Sequence, residues 1–536
     1  MIPNEPSINS LDVGTIDPSL NAMDATSTPG TELDFREKHL STDHLLSDLK
    51  GRTISGAFVT MMAQGAQFVL SLGSIMVLAR LLTPKDFGLF AMVTTVIGYL
   101  RVFKDAGLST ATIQREGITN AQVSNLFWIN VALSGAISLL LAIGSPMVAW
   151  FYQEPRLVPI TLILSSTFLL SGMTIQHTAL LNRQMRFKAV AFIQVASMLI
   201  GVVVGIGMAL LNYSYWALVF SNLITVAATV PMTWFAIPWR PQAPSRGSGI
   251  RPLVSFGANL ATGGFIYALA RGADAILVGK FYGPDSVGLY TRAAALLNRP
   301  MEQFMSPINS VFVPVLSRLQ TQPDRYRRTF LQVYEAMTLV SFLSTGLLLA
   351  LARPLTLLVL GPKWEHAAVI FAAFTVVALF TAPSNAATWL FASQGRGKEW
   401  LVTSSLLSGI TVTSFLIGLP FGPAAVAIAY SVVGILISIP TLYYRAARSG
   451  PVSTADLWAA MLRYVPVWAV VCATTYLLRV LCPKWSPLLQ VLVCGSLGVT
   501  AGMILILAVA PLRRTALEIA TILKDLLSKA FSEKAK

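Results

Sequence analysis

Charge is what this sequence has least of. Only 12% of its 536 residues are charged while 54% are hydrophobic, and the apolar runs are repeatedly about 20 residues long, so an ordinary soluble protein is excluded. Cysteine is scarce as well. Cys472, Cys482 and Cys494 all fall in or beside the last two apolar runs, with neither a disulfide framework nor metal-ligand spacing. No phosphate-binding GxxxxGK loop occurs: Gly395-Arg396-Gly397-Lys398 lacks the first glycine at the required distance, which argues against direct ATP-driven chemistry. Long polar inserts are missing too, so the body of the chain has no room for a catalytic domain bearing paired carboxylates or histidines. No cofactor or metal is implied, and an enzyme is not expected.

Acidic residues number 24 against 39 basic ones, a net charge of +15. That excess could suggest nucleic acid, but the basic residues are scattered a few at a time between apolar runs, which is how membrane topology is encoded. Residues 1–50 are polar and acidic and read as a disordered tail without the basic start and apolar core of a cleavable signal. Fourteen apolar segments follow between about 54 and 510, each long enough to span a bilayer. Arg183, Arg186, Lys188, Arg240, Arg246, Arg325, Arg327, Arg328, Arg445 and Arg448 crowd into the loops after even-numbered segments. By the positive-inside rule those loops and both termini are cytoplasmic.

The organising signal is a repeat. Residues 74–90, SIMVLARLLTPKDFGLF, align without a gap onto 274–290, DAILVGKFYGPDSVGLY, placing Arg80 over Lys280, Pro84 over Pro284, Gly88 over Gly288 and Phe90 over Tyr290. Each copy reads as a helix, a tight reversal and a second helix. A same-sense repeat implies two homologous halves facing each other across a substrate path. The expected organisation is a six-helix lobe over 51–240, a linker over 241–250, a second six-helix lobe over 251–450, two further helices over 451–511, and a basic amphipathic tail over 512–536 lying on the membrane surface.

Charges within the apolar runs are the candidate functional residues, since an Arg or Asp in mid-membrane costs at least ~2.5 kcal/mol and faces a cavity or a partner. Segment 7 (253–278) carries Arg271 and Asp274, segment 8 (287–315) carries Arg292, Arg299 and Glu302, and segment 2 carries Arg101, Lys104 and Asp105. Helix rise puts Arg271 and Arg292 at similar depth, ~10 and ~8 Å from the outer surface, and Arg299 at ~18 Å. Arg101 reaches a comparable inner depth from the other lobe. Arg271, Arg292, Arg299 and Arg101 would form a cationic wall for an anion such as a phosphate. Asp274, Glu302 and Asp105 are coupling or charge-pairing groups. Arg271 and Asp274 could simply neutralise one another, and Arg101, Lys104 and Asp105 could snorkel to the interface. Arg80 and Lys280 read as interfacial anchors, His177 as packed or interfacial, and Glu335 as either a coupling carboxylate or an interfacial charge. Pro300, Pro307 and Pro314 recur along segment 8 and should bend it, as a gate or as a static kink.

At these residues the chain resembles a known family. ARLLTPKDFGLFAM (79–92), KDAGLSTATIQ (104–114), ILVGKFYGPDSVGLYTRAAAL (276–296) and VFVPVLSRLQ (311–320) are similar to the polysaccharide-transporter branch of the multidrug/oligosaccharidyl-lipid/polysaccharide (MOP) exporter superfamily. The resemblance implies an all-α polytopic protein with two six-helix bundles in a V, plus two helices, alternating between inward- and outward-open states. It implies a flippase that moves polyprenyl-diphosphate-linked oligosaccharide from the cytoplasmic to the outer leaflet of the bacterial inner membrane; a monomer working beside polysaccharide polymerase and export machinery is expected, and a nucleic-acid partner is not. A multidrug or organic-cation antiporter of the same superfamily is the alternative, and a membrane glycan polymerase a further one.

Overall fold

The computed structural model describes residues 49–105, 109, 112–113, 118–245 and 251–517. The side chains of 49–54, 57, 102, 105, 251–271, 299, 301–307 and 309–311 lie outside the described residues. So do the expected N-terminal tail and most of the C-terminal amphipathic tail.

Everything regular in the described residues is helical. The first half comprises α1 (Leu49–Leu81), α2 (Pro84–Asp105), α3 (Asn120–Ile143), the short α4 (Ser145–Tyr152), α5 (Leu157–Arg183), α6 (Phe187–Leu210) and α7 (Trp216–Ala236). The second comprises α8 (Arg251–Arg318), α9 (Pro323–Ala350), the short α10 (Ala352–Val359), α11 (Ala367–Ala378), α12 (Thr381–Ser393), α13 (Gly397–Gly418), α14 (Pro423–Val433) and α15 (Ile439–Ala447). Then come α16 (Thr454–Leu462), α17 (Val465–Leu481) and α18 (Gly495–Ala508). Among the described residues ten helices are long and apolar enough to cross a membrane, eleven when α11 and α12, bent by 41°, count as one span. Fourteen segments were expected; α2 and the two arms of α8, which carry charge or lie partly outside the described side chains, are not among these spans.

α8 is a hairpin of two helices. Gly283 has φ 76° and ψ −177°, a conformation open to glycine and far from helical. Asp274 and Tyr290 are 16 residues apart yet hydrogen-bonded at 3.1 Å, where a straight helix would hold them about 24 Å apart. The reversal sits at the Gly283–Pro284 step, matching Thr83–Pro84 in the first copy. The expected helix–turn–helix is therefore present. The backbone keeps helical dihedrals through Pro300, Pro307 and Pro314, so the break in this element lies at Gly283.

Within the first half α6 packs on α7, α3 on α5 and α1 on α6; within the second, α13 packs on α14, α11 on α14 and α9 on α12. The most extensive helix contact joins the halves, α2 against α8. The apolar cores show the resulting shape. One cluster mixes residues of both halves, among them Leu82, Phe87, Tyr152, Val287, Trp364 and Phe371. A second belongs to the second half, and a third, around Phe127, Leu180 and Trp239, to the first. The halves thus share a core at the end carrying Pro84 and Pro284 and keep separate cores at the end carrying Arg186 and Arg396. This is a V closed at one end.

The added helices dock on α9. About midway along it Glu335 accepts from Arg463 (3.0 Å), Tyr464 (3.3 Å) and Thr515 (2.9 Å); at its end, Arg479 donates to the Ala350 carbonyl at 2.6 Å. Leu512 and Thr515 are buried, so the start of the expected surface tail is tucked into the bundle. Glu335 is a structural hub here, in contact with neither Arg292 nor the cavity described below.

Candidate functional site

The repeat residues meet each other across the closed end. A Cβ added to Gly88 would lie 1.7 Å from the Pro284 carbonyl oxygen, and one added to Gly288 would lie 1.9 Å from the Pro84 carbonyl oxygen. Only glycine permits this backbone-to-backbone approach, and the reciprocity shows a pseudo-twofold relation between the halves. Arg80 and Lys280 repeat the pattern. Arg80 donates to Leu358 O (2.6 Å) and Val359 O (3.3 Å) at the C-terminus of α10. Lys280 donates to Phe151 O (2.5 Å) at the C-terminus of α4. Each cation meets the negative end of an eight-residue helix in the opposite half. They were expected to be interfacial anchors, but the structure makes them clasps between the halves. Trp364 adds an indole bond to Ala79 O (2.9 Å) and an edge contact with Phe87 (ring centroids 5.2 Å apart). Asp86 fixes the α1–α2 turn by accepting from the Thr83 amide (2.9 Å) and hydroxyl (2.6 Å) and from Ser214.

At the opposite end the basic residues tie helices within a half. Arg186 donates to Ala236 O (2.8 Å), capping α7, and Arg396 donates to Arg445 O (2.8 Å), Ala446 O (2.8 Å) and Ser449 O (3.0 Å), capping α15. Both arginines follow a residue of positive φ, Met185 at 53° and Gly395 at 70°. The sequence signal was available: Gln-x-Arg-x-Lys at 184–188 and again at 394–398. The Gly-Arg-Gly-Lys run considered as a phosphate loop is thus a helix-capping turn.

Beneath the clasp, a cavity of about 200 Å³ lies between the halves. Phe68, Ser71, Leu72 and Ile75 of α1 form one wall; Ala295, Leu296 and Pro300 of α8, with residues of α9–α11, form the other. Arg292 is the charged residue among those lining it. Its guanidinium carbon stands 5.0 Å over the Phe87 ring, so a cation of the second half rests on an aromatic of the first.

Of the four arginines expected to form a cationic wall, one lines this cavity. Arg292 and Pro300 line the cavity, whereas Arg101 is exposed near the end of α2 and does not line it. The side chains of Arg271, Arg299, Glu302, Asp105 and Pro307 lie outside the described residues, and Pro314 is exposed. The side-chain bond between Asp274 and Tyr290 joins the two arms of α8 three residues beyond position 271 and two residues before Arg292. Asp274 accepts from the Tyr290 hydroxyl and from the Ala275 amide (2.7 Å). His177 is fully buried, stacked on Trp234 (4.6 Å) and edge-on to Phe127 and Trp239. It is packed, as expected.

Two repeated helical halves, joined at one end beside a cavity that Arg292 lines, define a multi-pass membrane protein. The chain belongs to the polysaccharide biosynthesis protein family, which it matches over residues 77–369. It is similar to the teichuronic acid biosynthesis protein TuaB of Bacillus subtilis, 27% identical over 66% of this chain and 72% of that protein. It is also similar to the lipopolysaccharide biosynthesis protein WzxC of Escherichia coli, 22% identical over 65% and 71% respectively. In fold it resembles the lipid II flippase MurJ in an inward closed conformation, with TM-score 0.61, 15% identity, and coverage of 83% of this chain and 98% of that one. An inward-facing multidrug-resistance MATE-family transporter of the MOP superfamily matches with TM-score 0.59 and 14% identity over 73% and 96%. At these identities the likeness establishes the fold, an all-helical one of the MOP type.

Proposed function

We propose that this protein is a flippase that carries a polyprenyl-diphosphate-linked oligosaccharide across the bacterial inner membrane, with both termini cytoplasmic. The cavity between the halves is the observation that carries the reading. A guanidinium in an otherwise largely apolar wall suits a diphosphate headgroup, and its planar fork gives two parallel donors to phosphate oxygens. The lipid tail stays in the bilayer. Separate cores at the Arg186/Arg396 end support an inward-facing state, in which headgroup and glycan enter from the cytoplasm. Rocking of 51–240 against 251–450, with 451–511 carried by the second lobe, then exposes the cargo outside. Arg271, Arg299 and Arg101 extend the anion path, Asp274, Glu302 and Asp105 balance its charge, and Pro300, Pro307 and Pro314 give the helix its compliance. The protein acts as a monomer, handing its cargo to polymerase and export machinery.

An antiporter for organic cations would place a carboxylate where Arg292 stands. The deciding experiment is leaflet-to-leaflet movement of a fluorescent polyprenyl-diphosphate oligosaccharide in vesicles containing only this protein, with and without an ion gradient. Protein-dependent movement supports the flippase. Export of organic cations with no movement of the lipid would overturn it.

A further inference from the structure

The two halves permit an internal comparison away from the cavity. α5 and the α11–α12 pair each end directly before a Gln-x-Arg-x-Lys turn, so Arg183 corresponds to Ser393, Gln176 to Ala386 and His177 to Ala387. The short helices α4 and α10 bring α3 and α9 into register in the same way, Tyr152 over Val359, so Asn130 corresponds to Met337 and Ser134 to Ser341.

In the second half the corresponding positions of this seam are apolar or bonded, although Ser384 Oγ on α12 is buried without a hydrogen-bond partner among the described residues. Met337, Ala382, Ala386 and Ala387 belong to its hydrophobic core, and the Ser341 hydroxyl donates to the carbonyls of Ala378 (3.3 Å) and Leu379 (3.1 Å). In the first half it is polar and incomplete. Asn130, Ser134 and Gln176 have no exposed surface. Asn130 Oδ1 and Nδ2, Ser134 Oγ and Gln176 Nε2 have no hydrogen-bond partner among the described residues, while Gln176 Oε1 accepts from Thr112 (2.9 Å). Asn130 and Ser134 are neighbours across Gly172, whose added Cβ would lie 2.8 Å from Ser134 Oγ and 3.1 Å from Asn130 O. At the loop end, the His177–Trp234–Phe127–Trp239 aromatic cluster separates the seam from solvent.

The second half demonstrates that the fold does not need polar residues here, and burying an unpaired amide is expensive. We infer that the α3–α5 seam of the first half is a binding site for internal water. The chemistry selects the ligand. The seam offers amide N–H donors and amide and hydroxyl oxygen acceptors side by side, with no charged group in the set. A bare cation would meet the N–H₂ groups and an anion the oxygens, whereas water serves both and needs two to four such partners. A hydrated seam can exchange its hydrogen bonds as helices shift; the second half, with direct bonds and apolar packing, cannot.

The test is radiolytic hydroxyl labelling of the purified full chain, in which bound water oxidises adjacent buried side chains. Phe127, 3% exposed, should be labelled several-fold faster than Phe330 and Phe342 of the second half, 1% and 0% exposed, a larger difference than their exposure accounts for. Replacing Asn130→Met and Gln176→Ala, the residues of the second half, should bring Phe127 down to their rate. Equal rates in the wild-type protein, or an unchanged Phe127 rate in the folded double variant, would overturn the site. If the double variant does not fold, the wild-type comparison of Phe127 with Phe330 decides alone. None of these readouts depends on the identity of the transported cargo.

Discussion

Substituting Gly288→Ala places a methyl 1.9 Å from the Pro84 carbonyl oxygen. Both partners are backbone, so no rotamer change relieves the overlap, and the halves must part by more than about 1 Å to reach an ordinary contact. That displacement would stretch Arg80 Nη2 to Leu358 O, now 2.6 Å, and Lys280 Nζ to Phe151 O, now 2.5 Å, beyond hydrogen-bond range. With Arg80 to Val359 O, three bonds from cationic donors are lost. Because these donors are partly solvated, each contributes toward the lower end of the usual range, roughly 0.5–1 kcal/mol. The closed end is then weakened by about 1.5–3 kcal/mol, a shift of roughly 10- to 150-fold toward separation. A cysteine replacing Ser71 in the cavity wall, in a chain with Cys472, Cys482 and Cys494 changed to Ser, reports the result. With the proposed topology, a membrane-impermeant maleimide added outside should label it at least tenfold faster in Gly288→Ala, and likewise in Gly88→Ala. Unchanged labelling in both variants at normal membrane abundance would refute the clasp as the barrier between the cavity and the outside.

Arg292→Ala should reduce lipid-oligosaccharide transport in vesicles at least tenfold at normal abundance, equivalent to about 1.4 kcal/mol, and Arg292→Lys should rescue it only in part, because the charge remains but the planar fork is lost. Glu335→Ala leaves Arg463, Tyr464 and Thr515 without their shared acceptor. Since Arg463 is 40% exposed, the loss is about 1–3 kcal/mol, visible as a lower Tm in detergent. Arg396→Ala removes bonds to three carbonyls and to Glu399, whereas Arg186→Ala removes one carbonyl bond, so the former should destabilise more, roughly 2–3 against 1 kcal/mol, measured by thermal unfolding.

The repeat at 74–90 and 274–290 was legible because both copies keep Pro, Gly and aromatic residues at the same spacing, and those residues make the reversal and the close approach. Helix content followed from run length. The role of Arg80 and Lys280 was not legible, because their partners are backbone carbonyls at distant helix ends, and a carbonyl leaves no mark in residue type. Gln184-x-Arg186 and Gln394-x-Arg396 escaped because their offset is 210 residues, not 200, after length changes in the intervening loops. Depth arithmetic could not give facing, so it did not separate Arg292, which lines the cavity, from Arg101, which is exposed and outside the cavity wall. Asn130 and Gln176 are single uncharged residues inside apolar runs. They become conspicuous only when the apolar seam of the other half lies beside them.

The docking of α16–α18 on α9 also has a consequence for biosynthesis. Glu335, about midway along α9, finds its partners at Arg463, Tyr464 and Thr515, and the Ala350 carbonyl at its end finds Arg479. All the tertiary ties described for the first half lie within the first 245 residues, apart from those to the second half itself. As the chain leaves the ribosome the first bundle can therefore close early, while the second stays unfinished until almost the last residues have been made. A chain cut at 450 would retain every helix of the two-lobed repeat and still leave a carboxylate of α9 without its cation.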